Sequence, residues 1–120
     1  MPDRRHLALL GVLAALGITL LLAGCAPPRA ASASGPTRTA HVDMPPSYRF
    51  EPASIQVAAG TTVTWTNSDN FTHSVQVQGQ AEVHVAKPGE SIQITFDRPG
   101  TYAYVCTFHT QNMQGTVIVS

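Results

Sequence analysis

Residues 41–120 predict an all-β sandwich or barrel, on three observations. Apolar and polar residues alternate with period two in several short runs, the pattern of strands with one buried face. Gly- and Pro-containing turn signals separate these runs. No stretch sustains a helical apolar period. Short strands at regular spacing, joined by such turns, pack as two sheets or close on themselves.

Taken in order, Val63 and Trp65 alternate with Thr62, Thr64 and Thr66. Val75 and Val77 alternate with Gln76 and Gln78. Ile92, Ile94 and Phe96 alternate with Gln93 and Thr95. Tyr102, Tyr104 and Cys106 alternate with Ala103 and Val105. Residues 116–119 give a last short strand, apolar from Val117 onward. Turns are expected at Ala59-Gly60, at residues 67–70, at Lys87-Pro88-Gly89 and at Arg98-Pro99-Gly100. About 80 residues make a small core, which a bound metal would help to hold.

The first 40 residues have a different composition. Arg4 and Arg5 precede an apolar run over residues 7–22, and small residues follow at Ala23 and Gly24. That is the order of a secretory leader. The run falls somewhat short of the ~20 apolar residues that a permanent spanning helix needs. Leu22-Ala23-Gly24-Cys25 resembles the cleavage box of bacterial lipoproteins, which implies removal of residues 1–24 and a lipid on Cys25. Residues 26–40 hold Pro, Ala, Ser and Gly and no large apolar side chain, so residues 25–40 are expected to form a flexible tether. The expected location is outside the cytoplasm, on a bacterial membrane.

Lys and Arg number 7, Asp and Glu number 7, and the formal net charge is zero. From His41 onward three bases (Arg49, Lys87, Arg98) face six acids (Asp43, Glu51, Asp69, Glu82, Glu90, Asp97), or −3 for the folded part. Nothing here is a clustered basic surface, so nucleic acid is not an expected partner.

The chemistry lies in the last fifteen residues. Cys106 is the one thiol left if Cys25 carries a lipid. Outside the cytoplasm no reducing pool protects such a thiol, so it is either a buried structural residue or a ligand. Two residues separate Cys106 from His109, and three separate His109 from Met113. Thiolate, imidazole and thioether in one loop between two strands form a donor set that suits copper. Two imidazoles and a thiolate, with a long axial thioether, make the blue-copper arrangement. A second imidazole must come from His41, His73 or His84. His73 is the best placed, at a strand start after the polar turn 67–70. His41 lies beside the tether, and His84 alternates with Val83 and Val85 as a surface residue would.

With these residues in view, the domain resembles the cupredoxins of the plastocyanin, amicyanin and pseudoazurin kind. The matching stretches are Phe50-Glu51-Pro52, residues 60–67, His73-Ser74-Val75, Pro88-Gly89-Glu90 and residues 99–115. The resemblance implies a Greek-key β-sandwich with one type 1 copper ion. His73, Cys106 and His109 would form the equatorial plane, and Met113 the axial ligand. It also implies a monomer that passes single electrons between redox partner proteins. Four departures stand out. The loop has three residues between His109 and Met113, where amicyanins have two and plastocyanins four. Phe108 replaces a usual Pro. Ser74 replaces the Asn that ties the ligand loops in plastocyanins and amicyanins. Val105 replaces the Tyr of plastocyanins.

Four protein donors leave no open coordination position, and catalytic metal sites keep one open. A carrier is therefore expected, not an enzyme. A piece of a multicopper oxidase or copper nitrite reductase would need a second copper centre, and the chain has no His-x-His pair. A binuclear centre would need two thiolates. A surface lipoprotein for copper homeostasis is the alternative, but delivery sites are Met-rich and only Met44 and Met113 follow the leader. Phe108, Pro45 and Pro46 are candidates for an apolar rim around His109.

Overall fold

The computed structural model describes residues 35–120, together with Gly24. The leader, the lipid expected on Cys25 and most of the tether lie outside the described residues. Among the described residues every regular element is a strand. They are β1 (Thr37–Arg38), β2 (His41–Met44), β3 (Ser54–Val57), β4 (Thr61–Asn67), β5 (His73–Val77), β6 (His84–Ala86), β7 (Ser91–Phe96), β8 (Gly100–Val105) and β9 (Gln114–Val119). Six strands form one sheet in the order β1-β3-β9-β8-β5-β6, and three form the other in the order β2-β4-β7. The all-β sandwich expected from the sequence is the observed fold.

The alternation works as its physics requires. On β4, Val63 and Trp65 are fully buried while the threonines between them face outward. Those outward hydroxyls pair across strands, Thr62 with Thr95 at 2.7 Å and Thr66 with Ser91 at 3.0 Å, tying β4 to β7. Between the sheets lie Val42, Met44, Ile55, Val63, Trp65, Val75, Val77, Tyr104 and Val117, all essentially without exposure. Each such aliphatic side chain contributes on the order of 1.5–3 kcal/mol relative to an exposed one.

Four strands depart from the local pattern. β2 and β3 have four residues each and pair in parallel, β2 with β4 and β3 with β9. β1 lies in the stretch expected to be tether. Both its side chains are exposed, so backbone pairing with β3 holds it and burial contributes nothing. Val85 on β6 and Val83 just before it point outward, about half exposed, while His84 is partly covered with Nε2 3.8 Å from Glu82.

One aromatic cluster braces the sandwich. Tyr104 on β8 meets Phe50 edge-on at 4.7 Å between centroids and Trp65 at 5.2 Å. Its ring lies across the backbone of β9 at Gly115, its register partner. Burial pushes the Tyr104 phenol up to about 12, so it stays neutral at ordinary pH. Tyr104 stands two residues before Cys106, which links this packing to the chemistry of the next segment.

Candidate metal centre

The hairpin of β8 and β9 closes its ladder at Val105↔Gln114, leaving residues 106–113 as a loop at one end of the sandwich. Backbone bonds lock the loop. Cys106 N–H donates to Met113 O at 3.0 Å, His109 N–H to Cys106 O at 3.2 Å, and Met113 N–H to His109 O at 3.0 Å. The three residues singled out by spacing are thus fastened to one another through their main chains. Met113 and Cys106 are fully buried, and His109 is partly exposed.

The fourth residue arrives from the neighbouring strand. β5 pairs antiparallel with β8, which brings its first residue, His73, to the same end as Cys106. Cys106 Sγ lies 3.9 Å from His73 Nδ1 and 3.8 Å from His109 Nδ1. Among the described residues, His73, Cys106 and His109 are the His, Cys, Asp or Glu group whose donor atoms converge, all within 4.8 Å of one another. His41 and His84 are not part of it.

The donor set fits a first-row metal ion. With metal–nitrogen bonds of about 2.0–2.1 Å and a metal–sulfur bond of about 2.3 Å, a planar trigonal centre separates sulfur from each nitrogen by about 3.8 Å. The observed separations match that edge length.

His73 is aimed by a polar loop. Its Nε2 lies 2.8 Å from Oδ2 of Asp69, a side chain only 5% exposed. Asp69 Oδ1 accepts the Asn70 N–H at 2.6 Å, and Asp69 N–H donates to Asn67 Oδ1 at 2.9 Å. Asn67, fully buried, anchors the loop by donating to the carbonyls of Phe71 and Ala86. The hydrogen bond from His73 holds the Asp69 carboxyl below the usual carboxylate range, against the effect of its burial.

Ser74 joins the two ligand-bearing segments. Its N–H points at Cys106 Sγ at 3.4 Å. Its hydroxyl accepts the Thr107 N–H at 2.8 Å and pairs with the Thr107 hydroxyl at 2.8 Å. A hydroxyl therefore makes the tie here.

The exposed side of the centre is aromatic. Tyr48 packs on His109 at 4.2 Å between centroids, tilted 40°. Ser47 and Tyr48 both have positive φ, 86° and 52°, a conformation that non-glycine residues adopt at a cost. That turn delivers the Tyr48 ring onto His109. Tyr48 and Phe71, 37% and 58% exposed, lie 6.1 Å apart between ring centroids and form an apolar fringe, and Phe108, next to His109 in the loop, is 55% exposed. Of the three expected rim residues, Phe108 is exposed beside His109, whereas Pro45 and Pro46 lead into the turn that carries Tyr48. Asp69, Tyr48 and Phe71 were not legible as site residues. The available signal was an acid four residues before the candidate His, which has no meaning outside a helix.

Comparison with known proteins agrees with this architecture. The profile described as a cupredoxin-like domain matches residues 12–119. An amicyanin-alpha of Methylorubrum extorquens is 32% identical over 121 residues, covering 96% of this chain and 98% of the relative. A plastocyanin of Scenedesmus fuscus is 39% identical over 83 residues, covering 58% of this chain and 85% of the relative. Among solved structures, a purple cupredoxin of Nitrosopumilus maritimus superposes with a TM-score of 0.60 at 28% identity, covering 68% of this chain and all of that one.

Proposed function

Because the chain belongs to the family of cupredoxin-like domains, we propose that it carries single electrons on one type 1 copper ion held by His73, Cys106, His109 and Met113. The observation that carries this reading is the convergence of one thiol sulfur and two imidazole Nδ1 atoms at trigonal separations. Bound copper supplies the one-electron chemistry by alternating between Cu(II) and Cu(I).

The protein's part is to hold its donors still. The backbone bonds among Cys106, His109 and Met113 fix the loop, and the Ser74–Thr107 tie fixes it against β5. The Ser74 N–H is directed at the sulfur from β5. The Met113 thioether would complete the set as a weak, soft donor. Four protein donors leave no position for a substrate, which supports a carrier and not an enzyme. The partly exposed His109 edge, beside Tyr48 and the exposed Phe108, is where a redox partner protein would dock.

The direct test is addition of Cu(II). Intense visible colour at one ion per chain, bleached on reduction, is expected, and a colourless complex would remove the reading. A second test addresses the axial donor. Met113→Gln replaces a soft thioether with a harder amide oxygen, which favours Cu(II). The variant is expected to keep copper and lower the reduction potential by on the order of 59 mV, a tenfold change in a one-electron equilibrium. An unchanged potential in voltammetry would take Met113 out of the donor set.

The same reading includes export and a lipid at Cys25, supported by the leader-like residues 1–24. The domain would then be a monomer on a tether with an r.m.s. reach of about 20 Å, anchored outside the cytoplasm. Cys25→Ala is expected to leave an uncleaved precursor or a soluble product. Unaltered processing and membrane recovery of that variant would rule out the anchor.

A further inference from the structure

Asp69 is a carboxylate almost out of water, and its Oδ2 is hydrogen-bonded to Nε2 of His73 at 2.8 Å. A buried carboxylate is costly unless paired and hydrogen-bonded. Here the loop is organised to satisfy it: Asn70 N–H on one oxygen, His73 Nε2 on the other, and the Asn67 side chain fixing the main chain beneath. The same imidazole turns its other nitrogen toward Cys106 Sγ.

From this arrangement we infer that Asp69 is a positioning residue for the metal centre, which keeps the proton of His73 on Nε2, leaves Nδ1 bare to bind, and biases the centre toward the more positive metal state. The inference rests on the proposed copper site. An imidazole that donates its remote N–H to a carboxylate is held in one tautomer and is a more basic ligand. The carboxylate also places a fixed negative charge next to the centre. Removing one electron from the metal raises its positive charge, and a nearby anion favours that outcome. The asymmetry is marked, because His109 has an aromatic ring against its face and no carboxylate hydrogen-bonded to it among the described residues.

Two substitutions separate the parts of this claim. Asp69→Asn keeps size and a hydrogen-bond acceptor but removes the charge. It is expected to bind copper and keep its colour, while the redox equilibrium moves about tenfold toward the reduced form, a rise of about 59 mV. Asp69→Ala removes the acceptor as well, and Co(II), used as a redox-inert probe, is expected to bind 10–100-fold more weakly, the usual effect of losing such a partner. In the metal-free protein, nitrogen NMR of the His73 ring should show the Nε2–H tautomer in the parent and a tautomer mixture in Asp69→Ala. A role confined to loop stability would lower the melting temperature of both variants and leave the potential of Asp69→Asn where it was. That unchanged potential, or an unchanged tautomer in Asp69→Ala, overturns the inference. A parent protein that takes no copper overturns the copper reading instead, and the metal-free NMR then decides whether Asp69 positions His73.

Discussion

Replacing Cys106 with serine is expected to abolish the visible colour of the copper-loaded protein and most of its copper affinity. The sulfur is the apex of the site, 3.9 and 3.8 Å from the two Nδ1 atoms, and the Ser74 N–H is aimed at it. A serine hydroxyl is nearly the same size, so the buried loop keeps its shape. It does not ionise at ordinary pH, and it lacks the soft, polarisable donor that suits copper. Losing a short equatorial bond is therefore a larger change than weakening the axial one in Met113→Gln. Titration with Cu(II) followed by visible absorbance reads the outcome, and melting of the metal-free variant checks that the fold persists. A blue Cys106→Ser protein would move the site elsewhere.

The largest effect on the fold is expected from Gly115→Ala. A Cβ at this position would fall 2.3 Å from the Tyr104 ring, far inside van der Waals contact. Nor can the ring swing away, because Phe50 and Trp65 pack edge-on against it. Gly→Ala at a compatible backbone would otherwise stabilise by about 0.4–1 kcal/mol through the unfolded chain. Overpacking a core costs about 1–3 kcal/mol and sometimes more, so the clash should win. For a domain of this size each kcal/mol lowers the melting temperature by roughly 4–8 °C. A double-mutant cycle tests the cause: Gly115→Ala should cost little in a Tyr104→Ala background. Equal costs in both backgrounds would show that the ring is not responsible.

Much of the fold was legible because β4, β5, β7, β8 and β9 each carry an apolar face that burial demands. Trp65, Val75, Ile92 and Tyr104 lie on the buried side that their alternation indicates, and Val117 is buried in a run that is apolar throughout. β2 and β3 were not legible. Their four residues hold too few periods to stand out, and their partners in parallel pairing are distant in sequence. β6 ran against the rule, since its Val85 faces water. At the metal centre, Cys106, His109 and Met113 could be read from spacing because one short loop must bring them together. His73 needed the donor set to single it out. Asp69 and Tyr48 were hidden, because one depends on how a turn folds back and the other on left-handed backbone at Ser47 and Tyr48.

The two histidines of the centre are unequal: His73 is fully enclosed behind Asp69, while His109 meets solvent beneath Tyr48. On the proposed reading, in which electrons pass at the His109 edge, donor and acceptor proteins would share that face. They could not occupy it together, so the protein would work not as a wire clamped between two larger complexes but as a shuttle that collects an electron, lets go, turns and delivers. Throughput would then depend on how fast each encounter ends as much as on how fast electrons move, and an excess of either partner would slow traffic by holding the shared face. Tight binding would be a disadvantage for such a shuttle, and a small, partly apolar contact area around His109 suits brief visits.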